Sequence, residues 1–380
     1  MNGWDEPPRR SRPAALPNPR NGVRRLMMMS QSTAQEIKPN KKIRCGVIGT
    51  GRMGRHHVRN YAQHPDAELI GVVDTNPEAR KTMTEEWGGR PFDTVEQLLD
   101  AGVDAVTIAT PTIHHRAAAE VLLAAGVACL IEKPLAPDVA EAEALVEAAK
   151  RYGSILQVGH IVRYDPVMQA IRQFDDITPR FIEMDRISPM TFRSVDVGVV
   201  LDMMIHDLDL LMMLVGEEPE DVQANAVSVL GEHEDVCNAR LTFSPDAQGV
   251  RCVANVTASR LALKTERKLR IISEDAYVSA DFVERKGTVV RKTANEAQLA
   301  EVREQLRAGK DLSQVNYLEL IQVDELQVGD QEPLRAQIDD FLDCVRTGRR
   351  PRINAEDGFA AVRTAERIVE AARAAGARMV

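Results

Sequence analysis

Aromatic residues make up only 4% of this 380-residue chain, and cysteine is scarce, with five residues and no CxxC pair among them. Cys45, Cys129, Cys237, Cys252 and Cys344 are odd in number, widely spaced and mostly set in apolar strand-like runs. That pattern excludes a disulfide framework and a zinc site, and it predicts reduced, buried thiols in a cytoplasmic protein. No apolar stretch is long enough to cross a bilayer, which removes the membrane reading. A formal net charge of -9 together with few aromatics argues against a dedicated nucleic-acid binder. Internal repeats and long low-complexity linkers are also missing.

Apolar periodicity is missing from residues 1–40, where proline and arginine crowd the stretch EPPRRSRPAALPNPRNGVRR. A tail of this composition is expected to be disordered, and it lacks the apolar core of a secretion signal. Met27, Met28 and Met29 offer alternative starts.

What is present is ordinary in proportion, 44% hydrophobic and 28% charged. At this length two domains with a cleft between them are the expectation, with one large barrel as the alternative. From Ile43 to about residue 160, short apolar runs alternate with helical stretches: IRCGVIG, GRHHVRNYAQ, AELIGVVD, NPEARKTMTEEWG, VDAVTIATP, HHRAAAEVLLAAG, VACLIEKP, DVAEAEALVEAAKRYG, SILQVGH. Runs of β-branched residues without alternation predict strands buried on both faces, and hence a doubly wound parallel sheet covered by helices. After Tyr164 the pattern changes to an apolar helix, VVLDMMIHDLDLLMMLVG, and then to strands separated by turns, which predicts an α+β domain with an open, mostly antiparallel sheet. Residues near 296–310 look helical and polar, and two amphipathic helices close the chain, the last one capped by Asn354. The expected domains are the tail (1–40), a Rossmann domain (41–162) and a substrate and oligomerisation domain (163–380), whose closing helices pack back on the first.

Three motifs carry chemistry. Gly49, Gly51 and Gly54 form G-x-G-x-x-G directly after a strand and at the mouth of a helix, where free backbone N–H groups can hold a pyrophosphate. Asp74 ends the next strand, 20 residues past Gly54, where a carboxylate bonds ribose hydroxyls. An acid there repels a 2′-phosphate, which favours NAD over NADP; Arg52 and Arg80 nearby keep NADP as the alternative. The second motif is Glu132-Lys133-Pro134 at the end of a buried strand, where a lysine points into the crevice beyond the sheet. Pro134 restricts Lys133 to extended geometry and admits a cis bend. The third is LDMMIHDLDLL, in which Asp202 and His206 share a helix face at a spacing of four. That spacing suits a general base held in one tautomer, and it equally suits a packed helix with charged flanks, Asp207 and Asp209 being solvated.

VIGTGRMGRHH, IATPTIHH, EKPLA, VGHIVRYDP and VVLDMMIHDLD, in that order and spacing, resemble the Gfo/Idh/MocA family of sugar and inositol dehydrogenases, from about Ile43 to the closing helices. The resemblance implies an NAD(P)-binding Rossmann domain followed by an α/β domain that commonly forms the oligomer interface, and hydride transfer between nicotinamide and a sugar or cyclitol carbon. It places Thr50, Arg52, Met53, Thr110, Pro111, His114, Glu132 and Lys133 with the glycines and Asp74 along the cofactor. It makes Lys133, Asp202 and His206 the catalytic set, all three also contacting substrate. GHIVRYDP and the segments around His206 and Arg260 are similar to the UDP-N-acetylglucosamine 3-dehydrogenase subgroup, which oxidises the sugar C3 hydroxyl to a ketone that a partner aminotransferase converts to an amine on the way to lipid A. Arg163, Tyr164, Arg193 and Arg260 then become candidates for the substrate's diphosphate or sugar, with a structural role as the alternative for each taken alone. Proton removal falls to His206, with Asp202 orienting it or holding another hydroxyl and Lys133 bonding the reacting oxygen; Lys133 as the base is an equal variant. A homodimer or homotetramer is expected, with no metal, nucleic acid or membrane partner. The competing readings are the same chemistry on an inositol, a free sugar or another nucleotide sugar, and a non-catalytic dinucleotide sensor. A metal-dependent dehydrogenase using His114, His115, His160 or His206 lacks any familiar ligand spacing.

Overall fold

Buried β-branched runs and capped helices alternate through the first part of the chain and build one parallel sheet. The computed structural model describes residues 41–174, 176–191, 197–230, 232–309 and 317–377; the tail and Arg193 fall outside them. Strands β1 (Ile43–Ile48), β2 (Ala67–Val73), β3 (Arg90–Phe92), β4 (Ala105–Ile108), β5 (Ala128–Glu132) and β6 (Leu156–Gly159) lie in the order β3-β2-β1-β4-β5-β6. Every pairing is parallel. Helices α1 (Gly54–Gln63), α2 (Pro77–Trp87), α3 (Val95–Asp100), α4 (His115–Ala124) and α5 (Val139–Tyr152) connect them. Strand order reverses between β1 and β4, the place where ligands bind beyond the carboxyl ends of such a sheet. The α/β class read from the sequence is present, with β3 and α3 added; at three and six residues both are too short to leave a periodic signal.

The second half adds α6 (Pro166–Ile171), β7 (Phe181–Ile187), α7 (Ile205–Val215), β8 (Asp221–Val227), β9 (Val236–Pro245), β10 (Arg251–Ser259), β11 (Glu266–Ile272), β12 (Ala276–Asp281), β13 (Lys286–Lys292), α8 (Glu296–Arg307), β14 (Ile321–Glu325), α9 (Pro333–Thr347) and α10 (Ala355–Ala374). Its eight strands run β14-β13-β12-β11-β7-β10-β9-β8, antiparallel except for the β7–β10 pair. Residues 276–292, one strand-like segment by composition, fold into the β12–β13 hairpin, with Arg285 at a positive φ of 52° in the turn. Alternation is clean on β10, where Cys252, Ala254, Val256 and Ala258 are buried against the helices.

The closing helices join both halves. Leu334, Ile338, Phe341 and Leu342 of α9 share a core with Ile43, Cys45 and Val47 of β1 and with Val58 and Tyr61 of α1. In α10, Ala355, Ala361 and Val362 pack in a core of the parallel sheet, whereas Ala365, Ile368 and Ala372 pack in the core of the second sheet. Asn354 caps α10 through a reciprocal pair with Asp357, which fixes where that helix starts. All five cysteines are free and buried, and no helix among the described residues is long and apolar enough to cross a membrane. Phe341 is fully buried, so Phe341→Ala should lower stability in urea unfolding by about 3–5 kcal/mol; a change below about 0.5 kcal/mol would show that α9 contributes nothing to the β1 core.

Candidate active site

The glycine loop lies over the carboxyl ends of β1 and β4. Gly49 has φ +84°, and a Cβ there would meet the Ala109 carbonyl oxygen at 2.7 Å. A Cβ on Gly54 would come within 1.8 Å of the Gly49 carbonyl oxygen, whereas one on Gly51 would meet nothing within 4 Å. Two glycines are therefore required by the turn itself, and the middle one opens onto the space where a pyrophosphate would approach the backbone. Thr110, just past β4, carries a buried hydroxyl with no hydrogen-bond partner among the described residues. These residues fit a dinucleotide. Arg52, Pro111 and His114 are exposed around the same edge, and Met53 is half-buried.

Asp74 closes β2 as expected. Its Oδ2 accepts from the Thr50 amide at 2.7 Å and the Thr50 hydroxyl at 2.8 Å, and its Oδ1 accepts from the Asn76 amide at 2.9 Å. Partial burial opposes ionisation, but these hydrogen bonds and Arg80 outweigh it and hold the carboxyl below its ordinary value. The acid thus stays charged and keeps free lone pairs for ribose hydroxyls. Arg80 is tied to the Asp74 carbonyl and the Asp93 carboxylate.

Beneath the loop, Glu132 meets His57 Nε2 at 2.8 Å, and the Tyr61 hydroxyl meets Thr107 at 2.7 Å. Burial raises the Glu132 pKa, but the His57 contact and Lys133 bring it below the ordinary value. His57 was missed in the sequence, although a signal exists: Gly54, His57, Val58 and Tyr61 form the buried stripe of α1, and a histidine on such a stripe needs a partner.

Lys133 ends β5 with a cis peptide to Pro134. Its ammonium donates to the Asp202 carbonyl at 2.7 Å and to the Asp202 carboxylate at 3.3 Å. Burial lowers its pKa from the ordinary 10.5, against the opposing pull of Asp202. Asp202 lies in a π-helical turn, Val200–Met204, that leads into α7. Because i→i+5 bonding widens that turn, the α-helical register that would align Asp202 with His206 does not apply. Asp202 turns to Lys133, and His206 Nδ1 is buried with no partner among the described residues. Burial, then Lys133, Arg186, His160 and Arg267, push the His206 pKa well below 6.5. The result is a neutral imidazole beside an ammonium, just past the carboxyl end of β5.

Other expected site residues are engaged elsewhere. Arg163 forms a buried fork on Asp209 at 2.8 and 2.6 Å, and the Tyr164 hydroxyl donates to Asp340 at 2.6 Å. Arg260 donates to Asp235 and to the Val197 carbonyl, each at 2.7 Å. Asp207 and Asp209 are not solvated flanks: Asp207 takes a bidentate Arg186 at 2.8 and 2.6 Å, and both acids are buried. Their partners come from other elements, so nothing local in the sequence reveals them. Among the described residues no group of three or more His, Cys, Asp or Glu is gathered as a metal site.

An oxidoreductase family model with an NAD-binding Rossmann fold, GFO_IDH_MocA, matches residues 43–160, and the model of that family's C-terminal alpha/beta domain matches residues 191–377. The UDP-N-acetylglucosamine 3-dehydrogenase of Acidithiobacillus ferrooxidans is 43% identical over 241 residues, 63% of this chain and 74% of that one. The solved structure of that enzyme, GnnA, superposes with a TM-score of 0.77 and 35% identity, covering 88% of this chain and 98% of the other. An inositol 2-dehydrogenase of Rhizobium meliloti is 33% identical over 198 residues, 50% of this chain and 59% of its own length. The WlbA dehydrogenase from Bordetella pertussis, in complex with NADH and UDP-GlcNAcA, has a TM-score of 0.71 at 21% identity over 88% of this chain and 97% of that one, a likeness of fold.

Two outcomes follow from this geometry. Gly51→Ala should leave urea unfolding within about 0.5 kcal/mol while weakening NADH binding by about tenfold or more in a fluorescence titration. Undiminished affinity would place the phosphates elsewhere. Separately, burial lowers the pKa of His115, His160 and His206, so below about pH 6.5 the unfolded chain takes up protons that the native state refuses. Stability should therefore fall as pH drops from about 7.5 to about 5.5, and a flat or rising urea midpoint across that range would contradict the neutral assignment.

Proposed function

We propose a reaction that starts from one premise: this chain belongs to the Gfo/Idh/MocA oxidoreductase family, whose members are NAD(P)-dependent sugar and inositol dehydrogenases. The reaction is oxidation of the C3 hydroxyl of UDP-N-acetylglucosamine to a ketone, with NAD as acceptor, to be followed by transamination in the route to an amino-substituted lipid A. The observation that carries the chemistry is the Lys133–Asp202 bridge beside neutral His206 at the carboxyl edge of the parallel sheet. The substrate follows from the likeness to the Acidithiobacillus enzyme over both halves of the chain.

When bound, NAD supplies the acceptor for the hydride that leaves C3. His206 takes the hydroxyl proton, for which its uncharged ring is already prepared, as the C–O bond becomes a carbonyl. Lys133 donates a hydrogen bond to the same oxygen and stabilises the negative charge that develops there. Asp202 holds the Lys133 ammonium in position and neutralises it in the resting site. Asp74 with both oxygens engaged at the loop favours NAD, since a 2′-phosphate would meet a charged carboxylate. The open face of the second sheet is our choice for a homo-oligomer contact.

Purified protein should form NADH with NAD and UDP-N-acetylglucosamine when an aminotransferase and glutamate remove the ketone, and should be inactive with free N-acetylglucosamine and myo-inositol. Turnover of a free polyol alone would discard the substrate and keep the site. Silence with all three despite tight NAD binding would favour a dinucleotide sensor. His206→Ala should lower kcat by about a hundredfold or more with NAD affinity retained. The acid limb of kcat/KM should lie below pH 6.5, because the His206 pKa is depressed from that value; a limb above neutrality that vanishes in Lys133→Arg would transfer the role of base to Lys133.

A further inference from the structure

His160 follows β6 directly. Gly159 pairs with Glu132 across the parallel ladder, so the next residue on each strand, His160 and Lys133, leaves the sheet side by side at its carboxyl edge. The ring is 1% exposed, yet neither Nδ1 nor Nε2 has a hydrogen-bond partner among the described residues. Other buried histidines differ: His57 meets Glu132, His64 meets Asp339, and His115 lies between the carbonyls of Leu135 and Thr110. A buried polar side chain with both atoms unmatched is rare in a native protein and calls for a partner that binds from outside.

The groups around the ring are already committed. Lys133 from the end of β5 is bonded to Asp202, and Arg163 from the turn after His160 forks onto Asp209 of α7. Asp357 of α10, the remaining charged neighbour, holds the cap of its own helix and lies 3.4 Å from Arg163. The backbone of His160 is fixed, its N–H donating to the Val158 carbonyl and its carbonyl accepting from the Arg163 N–H. The ring therefore has a set position and no partner among the described residues. Its charge state would act on both Lys133 and His206, which places it in their neighbourhood.

A neutral imidazole offers one donor and one acceptor. The two nitrogens diverge, so one hydroxyl meets one of them, as donor or as acceptor, whereas a carboxylate or phosphate only accepts and could meet only the N–H. We infer that His160 binds a second hydroxyl of the sugar ring whose reacting oxygen is held by Lys133 and His206, and so selects polyol rings at this site. The assignment rests on the sugar-dehydrogenase reading proposed above.

The test compares wild type with His160→Phe, His160→Gln and His160→Asn, measuring KM and kcat for UDP-N-acetylglucosamine, free N-acetylglucosamine and myo-inositol, NADH affinity and Tm. His160→Phe should raise KM for the accepted sugar by roughly tenfold or more with NADH affinity unchanged. Glutamine, which keeps a donor and an acceptor at similar reach, should restore most of the loss. If the phenylalanine variant does not fold, His160→Asn reads the same loss, because its amide is too short to reach. An unmoved KM in a variant that turns over normally, with or without a lower Tm, overturns the assignment and leaves His160 as a histidine satisfied by buried water. A wild type that neither binds nor turns over any of the three polyols overturns both this assignment and the proposed function.

Discussion

The ammonium of Lys133 reaching the carbonyl and carboxylate of Asp202 is the contact on which the site depends. It links the end of a Rossmann strand to the π-helical turn before α7, and so joins the carboxyl edge of the parallel sheet to the helix that carries His206. Its desolvated charge also sets the electrostatics around it. Lys133, Arg186, His160 and Arg267 all disfavour a proton on His206, whose burial already does so. The proposed alcohol oxidation calls for a base that is uncharged at neutral pH, and an uncharged imidazole arises here from ordinary burial beside cations rather than from a dedicated carboxylate.

The frame that holds this contact is built from pairs that are costly to break. Arg163–Asp209 and Arg186–Asp207 are bidentate and buried, and both acids lie on α7 within one turn of His206. Removing one partner would strand a charge in the core, a loss on the order of 3–5 kcal/mol. These pairs tie α7 to the turn after β6 and to β7, so the helix that carries His206 is held from two sides. Helix α10, with one end in each core, closes the arrangement.

Legibility in the sequence followed the range of the interaction. The glycine loop, Asp74 and the strand that ends in Lys133 were readable because turn geometry and strand ends are written in neighbouring residues, and Gly49, Gly51 and Gly54 each have the surroundings their motif positions require. The Asp202–His206 pairing was not readable in the same way. Its spacing assumes α-helical register, and the π turn over Val200–Met204 changes which groups face one another. Arg163 and Tyr164 were candidate substrate ligands through the resemblance of GHIVRYDP to a nucleotide-sugar subgroup. Their partners, Asp209 and Asp340, lie 46 and 176 residues away and could not be found by local pattern.

By itself the sequence determined the doubly wound parallel sheet, the mostly antiparallel second sheet, the dinucleotide loop and the lysine at the crevice, because each is set by local periodicity, by turn stereochemistry or by the end of a strand. Only the tertiary structure decided which acid holds Lys133, that Asp207 and Asp209 are buried against arginines, and that His160 lies beside Lys133 with both nitrogens unmatched among the described residues. The physical reason is that a side chain's partner is chosen by packing between elements far apart in the chain, and whether a polar atom is satisfied is a property of the whole enclosure around it.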